Sequence, residues 1–219
     1  SDVYKRQLLT AMTQKGYTKS ELLDAGLVVQ NKNGGLYDKF RNRLMLPVID
    51  TRGDVVAFGS RVLDKSEPKY MNSSETPVYS KRRVLYGLNL AKKSKRPNII
   101  LCEGNLDIVT LHQAGFDNAV ASMGTALTVE QTRLLSRFTK ELVLCYDNDN
   151  AGKIATERAL QILNGSEFSV KVLQLPRRLV DGEYIKQDAD DFIKFQGPDA
   201  FERLLNGSEN GVEFRMAQI

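Results

Sequence analysis

Carboxylates follow three short apolar runs of this 219-residue chain. Glu103 comes directly after Asn98-Ile99-Ile100-Leu101-Cys102, with Asp107 four residues on. Asp147 and Asp149 close the run Glu141-Leu142-Val143-Leu144-Cys145-Tyr146, and Asp188, Asp190 and Asp191 come after Val170-Lys171-Val172-Leu173-Gln174-Leu175. A carboxylate delivered to the end of a buried strand is costly unless a cation compensates it, and hard divalent cations prefer oxygen ligands. Three such groups in consecutive units therefore point to a divalent-metal site.

Each group also has a plainer explanation. In Asp147-Asn148-Asp149 alternate residues of an extended chain face the same way, so both carboxylates can meet one ion. An Asp-rich turn with Asp149 as an N-cap accounts for the same letters, and spacing alone leaves both open. Gly104 permits a tight strand-to-helix turn that lets Asp107 point back toward Glu103. As an acid in a first helical turn, Asp107 is also favourable to the helix dipole. Asp188-Ala189-Asp190 repeats the alternate spacing, and an acidic N-cap competes there as well.

The elements that must position these acids are readable from period and punctuation. Runs at 98–102, 118–122, 141–146 and 169–175 alternate with helical patterns at about 105–114, 128–137 and 150–163, the pattern of βα units and a mostly parallel sheet. Thr128, with Gln131 three residues later, fits a capping box. Ligands of such sheets collect at the carboxyl ends of the strands, where Glu103 and Asp147 are predicted. The first half differs: residues 8–16 and 18–26 read as helices, and Arg43 to Leu63 as a hairpin about Thr51-Arg52-Gly53-Asp54. Residues 64–80 read as polar and irregular. The fold class is thus α/β, a basic α+β N-terminal part followed by the parallel-sheet domain and a C-terminal helical segment.

Composition bounds the function. Residues 1–97 carry 19 Lys+Arg against 9 Asp+Glu, whereas residues 98–219 carry 12 against 18, beneath a formal net charge of +4. A basic half joined to an acidic half suits polyanion binding beside metal chemistry, with a solvated surface as the alternative. No apolar run approaches the roughly 20 residues of a membrane span. Cys102 and Cys145, each inside an apolar run, read as buried reduced thiols of a cytoplasmic protein, with a disulfide between neighbouring runs as the alternative. His112, at helical spacing from Ile108, reads as a surface or packing residue. Ser1 to Gln7 reads as a non-native remnant and Glu213 to Ile219 as the start of a helix, so the chain is expected to be part of something longer.

In family terms, Glu103 with Asp107, Asp147-x-Asp149 with Ala151-Gly152, and Asp188-x-Asp190 resemble the Toprim motif set of DnaG-type primases, topoisomerases and some nucleases. Lys39-Phe40-Arg41-Asn42-Arg43-Leu44-Met45-Leu46-Pro47-Val48 resembles the basic motif of bacterial DnaG-type primases. So do Phe58-Gly59-Ser60-Arg61-Val62-Leu63, Pro68-Lys69-Tyr70-Met71-Asn72-Ser73 and Lys81-Arg82-Arg83-Val84-Leu85-Tyr86-Gly87-Leu88. With Ser122-Met123-Gly124-Thr125-Ala126-Leu127, the series covers residues 39–195 in the family's order. Asn105, Asn148 and Ala189 depart from the usual aromatic residue, glycine and proline, and none of the three removes a carboxylate.

The resemblance implies three parts: 1–97, a basic N-terminal subdomain; 98–178, a Toprim domain; and 179–219, an acidic motif and the start of a C-terminal helical subdomain. It implies a primase core that joins ribonucleoside triphosphates into an RNA primer on a single-stranded DNA template. Glu103, Asp147 and Asp149 are then the catalytic ligands of Mg²⁺ or Mn²⁺, with Asp107, Asp188 and Asp190 as secondary ligands or water holders. Arg41, Arg43, Arg61, Lys69, Asn72, Lys81 and Arg83 would bind nucleotide or DNA, and Tyr70 and Tyr86 would either stack on bases or serve the fold. Zinc is expected only in an upstream domain and a replicative helicase only through a downstream one, both outside this sequence, in bacterial or phage-related replication machinery. The alternatives are a Toprim nuclease using the same acids for hydrolysis, a type IA topoisomerase, disfavoured by the short chain, and a non-catalytic single-strand-binding module.

Overall fold

The computed structural model describes residues 5–124, 126–180 and 182–211. Of the stretch 1–7 read as a remnant, residues 1–4 lie outside the described residues and Gln7 opens the first helix. The terminal helix expected at 213–219 also lies outside the described residues, as does Thr125 of the 122–127 motif. The chain divides into two compact units, Ser1–Val48 with Val55–Ser80, and Ile49–Asp54 with Lys81–Ile219.

The first unit opens with helices α1 (Gln7–Gln14) and α2 (Lys19–Asp24). Thr18 and Glu21 make a reciprocal capping box on α2, which satisfies backbone donors that a helix start leaves unpaired. The N-cap of α1, Arg6, makes no such bond. Instead the buried Asp38 accepts from the backbone N–H groups of Leu8 and Leu9 at 2.7 and 2.9 Å. Asp38 ends the second strand of a small antiparallel pair, β1 (Val28–Gln30) and β2 (Leu36–Asp38), a hairpin absent from the sequence expectations. A three-stranded sheet follows in the order β3 (Arg43–Ile49), β4 (Val55–Val62), β5 (Tyr70–Asn72). The expected 43–63 hairpin is therefore present, and the stretch read as irregular contributes a third strand.

The second unit is built on a five-stranded sheet. In chain order its elements begin with α3 (Leu88–Ala91), β6 (Asn98–Cys102), α4 (Asn105–Gln113), β7 (Ala119–Ala121), α5 (Val129–Leu135) and β8 (Glu141–Leu144). They continue with α6 (Asn150–Leu163), β9 (Ser169–Val172), the paired strands β10 (Arg178–Val180) and β11 (Glu183–Ile185), α7 (Ala189–Gln196), α8 (Pro198–Asn206) and β12 (Glu209–Asn210). The sheet order is β12-β9-β8-β6-β7. Strands β6 to β9 pair in parallel, and β12 joins β9 antiparallel.

Alternation along the strands assigns the two faces. Ile99, Leu101, Leu142 and Leu144 pack with Leu135, Leu160 and Leu163. Ile100, Cys102, Val143 and Cys145 pack on the other side with Ile108, Leu111, Phe192 and Phe201. Helices thus cover both faces, as a buried parallel sheet requires. Thr128 and Gln131 form the expected capping box on α5. Cys102 and Cys145 are buried free thiols, and the hydrogen bond with the Cys145 side chain, followed by burial, raises the Cys102 thiol well above its ordinary range. Among the described residues no helix is long and apolar enough to cross a membrane.

Candidate functional site

The strand order sets the position of the acidic centre. From β6 the chain crosses to β7 on one side, then returns to β8 on the other. The crevice between the carboxyl ends of β6 and β8 is thus the switch point at which doubly wound sheets place ligands. Glu103 leaves β6 there and Asp147 follows β8, and the backbone N–H of Asp147 donates to Glu103 Oε1 at 3.3 Å. Both carboxyl groups titrate above their ordinary range. For Glu103 the causes are burial and then the charge of Asp147. For Asp147 burial leads, opposed by Lys186 and reinforced by Asp188 and Asp149.

Of the two roles left open by the sequence, the structure shows Asp149 as an N-cap, and it adds an ion pair with a lysine. Its Oδ1 accepts from the N–H of Gly152 at 2.9 Å, capping α6. Its Oδ2 accepts from Lys186 Nζ at 2.8 Å, and the same ammonium lies 3.6 Å from Asp147 Oδ2. The Lys186 and Gly152 hydrogen bonds hold the Asp149 carboxyl below the usual carboxylate range. The two carboxylates were expected to face one divalent ion; in this structure they share the ammonium of Lys186, a residue that sequence reasoning missed. Its only signal in the sequence is a basic residue two positions before Asp188.

Asp107 turns back as expected, but it meets backbone rather than Glu103. Its Oδ2 accepts from the N–H of Gly104 at 3.1 Å and its Oδ1 from the N–H of Asp190 at 3.0 Å. A Cβ at Gly104 would lie 2.7 Å from Asp107 Oδ2, so any larger residue at this turn would displace the Asp107 carboxylate from its present position. Burial, followed by the charge of Asp188, pushes the Asp107 carboxyl up to about 7.

Asp188 caps α7 by accepting from the N–H of Asp191 at 2.8 Å. Asp190 accepts from the hydroxyl of Thr110 and pairs with Lys194 at 2.6 Å. Ligand oxygens of Asp188, Asp190 and Asp191 lie within 4.8 Å of one another. Among the described residues Glu103, Asp147 and Asp149 do not converge that closely, since both Asp149 oxygens are already turned to Gly152 and Lys186. The donor set nevertheless fits a divalent cation: hard oxygen ligands, of which Glu103 and Asp147 are raised chiefly by burial, with the Lys186 ammonium lying against Asp147 and Asp149.

The basic residues divide between the units. In the first, Arg41 donates to the Asp38 carbonyl at 2.7 Å and lies 5.0 Å from the Tyr37 ring centroid. Arg43 donates to the Pro68 carbonyl at 2.8 Å. Arg61 and Lys69 flank Tyr70 at 5.7 and 5.5 Å and line a groove of about 540 Å³ with Asp64, Lys65 and Glu67. Asn72 pairs in register with Gly59 across β4 and β5. Lys81 and Arg83 belong to the second unit, in a segment fastened to the start of α5. There Gln131 Nε2 donates to the Lys81 and Val84 carbonyls at 2.9 and 3.0 Å, and Thr128 Oγ1 to the Arg82 carbonyl at 2.7 Å. Tyr86 exchanges backbone hydrogen bonds with Ala121, and His112 Nε2 meets the Ala119 carbonyl at 2.8 Å, a packing role.

Residues 100–193 match the family described as Toprim-like, and residues 2–92 the DNA primase catalytic core, N-terminal domain. The fold and the acidic centre thus define a Toprim-like domain preceded by the N-terminal domain of a primase core. The chain is 46% identical over 212 residues to the DNA primase of Clostridium acetobutylicum, covering 96% of this chain and 34% of that protein. It is 34% identical to the RNA polymerase domain of Mycobacterium tuberculosis primase DnaG, with a TM-score of 0.81 over 96% of this chain and 69% of that one. A DnaG primase catalytic domain bound to single-stranded DNA matches at 36% identity and a TM-score of 0.79, covering 91% and 62% of the two chains. The chain belongs to the DnaG-type primase family. It spans about a third of the length of the curated relatives it matches.

Proposed function

We propose that this chain is the nucleotidyl-transferring core of a primase, which joins ribonucleotides into a short RNA primer on a single-stranded DNA template. The observation that carries the proposal is the pair Glu103 and Asp147 at the switch point, linked by a hydrogen bond and both raised by burial. Glu103, Asp147 and Asp149 are the residues that would hold Mg²⁺ or Mn²⁺, with Asp107, Asp188 and Asp190 as secondary ligands or water holders. Such an ion supplies charge neutralisation for the triphosphate and a lowered pKa for the primer hydroxyl.

The chain's own residues do the positioning. Gly104 and Asp190 brace Asp107 through their backbone N–H groups, and α7 presents Asp188 and Asp190 together. Arg41, Arg43, Arg61, Lys69, Asn72, Lys81 and Arg83 bind the template backbone or the incoming triphosphate. These contacts are mostly sequence-blind and weaken with salt. The relative solved with single-stranded DNA supports a DNA template for this chain. On this reading ribonucleoside triphosphates and the RNA primer complete the active complex. A replicative helicase and zinc engage other domains, in the cytoplasm.

The test is incorporation of labelled ribonucleotides on single-stranded DNA with Mg²⁺ or Mn²⁺ by the protein as encoded, with Asp147→Asn as the control. Incorporation that disappears in the variant supports the proposal. Metal-dependent cleavage of DNA without incorporation overturns it in favour of a nuclease.

A further inference from the structure

We infer that Lys186 is the internal counter-cation of the acidic centre. It holds Asp147 and Asp149 together when no divalent ion is bound and gives up those oxygens when one enters. The inference rests on the proposal that these aspartates are metal ligands, and adds a residue that sets how tightly the ion is held.

The contacts are direct: Lys186 Nζ lies 2.8 Å from Asp149 Oδ2 and 3.6 Å from Asp147 Oδ2. An ammonium and a divalent cation carry like charge and use the same lone pairs, so occupancy by one disfavours the other. Most surface lysines are too loosely placed to matter in this way, because holding a long side chain costs entropy comparable to the ion-pair gain. The backbone under Lys186 is fixed instead. It leaves the hairpin of β10 and β11, in which Arg178 pairs with Ile185. The buried Gln187 closes the base of that hairpin by donating to the Pro176 carbonyl at 2.6 Å. Arg178 lies over the Phe195 ring of α7 at 3.6 Å. Asn148, between the two aspartates, donates to the Leu175 carbonyl at 3.0 Å. The two ends of the ion pair are therefore fastened at neighbouring points of the chain, Asn148 to Leu175 and Gln187 to Pro176.

Removing the charge has effects of opposite sign in the two states of the site. Without metal, Asp147 and Asp149 lose their compensation and the protein becomes less stable. With metal, a competitor has gone and the ion binds more tightly, by about fivefold for an exposed pair of this kind.

The experiment measures Mn²⁺ binding by electron paramagnetic resonance of the free ion, and melting temperature with EDTA or with saturating Mn²⁺. It compares the wild type with Lys186→Gln, Lys186→Met, Lys186→Arg and Asp147→Asn. The expected result is about fivefold tighter Mn²⁺ binding in both neutral variants, with a lowered melting temperature only in EDTA, while Lys186→Arg resembles the wild type. Unchanged or weaker Mn²⁺ binding in the neutral variants, with Asp147→Asn losing binding, overturns the role of Lys186 alone. No saturable Mn²⁺ binding in the wild type, or wild-type binding in Asp147→Asn, overturns the metal site and this inference with it.

Discussion

Gly152 lies against the main chain of Asp147 so closely that a Cβ on it would sit 1.9 Å from the Asp147 carbonyl oxygen and 2.8 Å from its carbonyl carbon. The first turn of α6 thus supports the Asp147 backbone by contact, and only a hydrogen atom fits between them. Gly152→Ala must push the Asp147 loop outward. The expected cost is about 1–3 kcal/mol of stability from overpacking, together with at least a tenfold loss of Mn²⁺ affinity. Urea denaturation and Mn²⁺ titration check this, and a variant with wild-type values for both would remove Gly152 from the account.

Asp107 makes the metal-free protein sensitive to pH. Its carboxyl holds a proton up to about pH 7 in the folded state, against an ordinary value of 3.8. The folded state therefore binds more protons than the unfolded chain between those values, and stability must fall as pH rises through that window. The largest drop such a shift allows is about 4 kcal/mol. Denaturation in EDTA from pH 4 to pH 8 should show a shallower decline in Asp107→Asn than in the wild type. Parallel curves would mean that Asp107 titrates normally.

The groove of the first unit makes a prediction about salt. Arg61 and Lys69 flank Tyr70, and each is expected to neutralise about one phosphate of a bound strand. Arg61→Ala and Lys69→Ala should each weaken binding to single-stranded DNA about equally across sequences. Each should also reduce the slope of log K against log salt by about 0.7. Fluorescence anisotropy over a salt series measures both quantities, and an unchanged slope would take that residue out of the interface.

The third acidic group depends on a packed aromatic trio. Phe201 of α8, fully buried, meets Phe116 at 4.8 Å and Phe192 of α7 at 6.0 Å between ring centroids. It thereby fixes the helix that carries Asp188 and Asp190. Phe201→Ala should cost about 3–5 kcal/mol and weaken Mn²⁺ binding as α7 loosens. Thermal melts read the first effect and Mn²⁺ titration on the folded fraction the second. A loss under 1 kcal/mol would contradict this packing role.

Much of the second unit was legible in the sequence because its strands are buried on both faces and its helices carry their own punctuation. Ile99 to Cys102 and Leu142 to Cys145 could hardly be anything but core strands, and Thr128 with Gln131 announced a helix start. The carboxylates stood out because they follow such strands. What stayed hidden was short and polar. Strands β1, β2, β10 and β11 have three residues each, too few for alternation to register, and Glu183 to Ile185 are all exposed. Lys186 was missed for the same reason, since its importance comes from a hairpin with no periodic signature. The carboxylates of Asp149 and Asp188 serve as caps while facing the acidic centre. No spacing rule separates those two uses, because both need an aspartate at a helix start.

Ribonucleotide incorporation on a single-stranded DNA template tests the central claim most directly, measured for the wild type, Asp147→Asn and Glu103→Gln, with folding confirmed by circular dichroism. The account predicts metal-dependent RNA synthesis by the wild type and none by either variant, both of which remain folded. Primer synthesis at the wild-type rate in a folded Asp147→Asn or Glu103→Gln protein would contradict it.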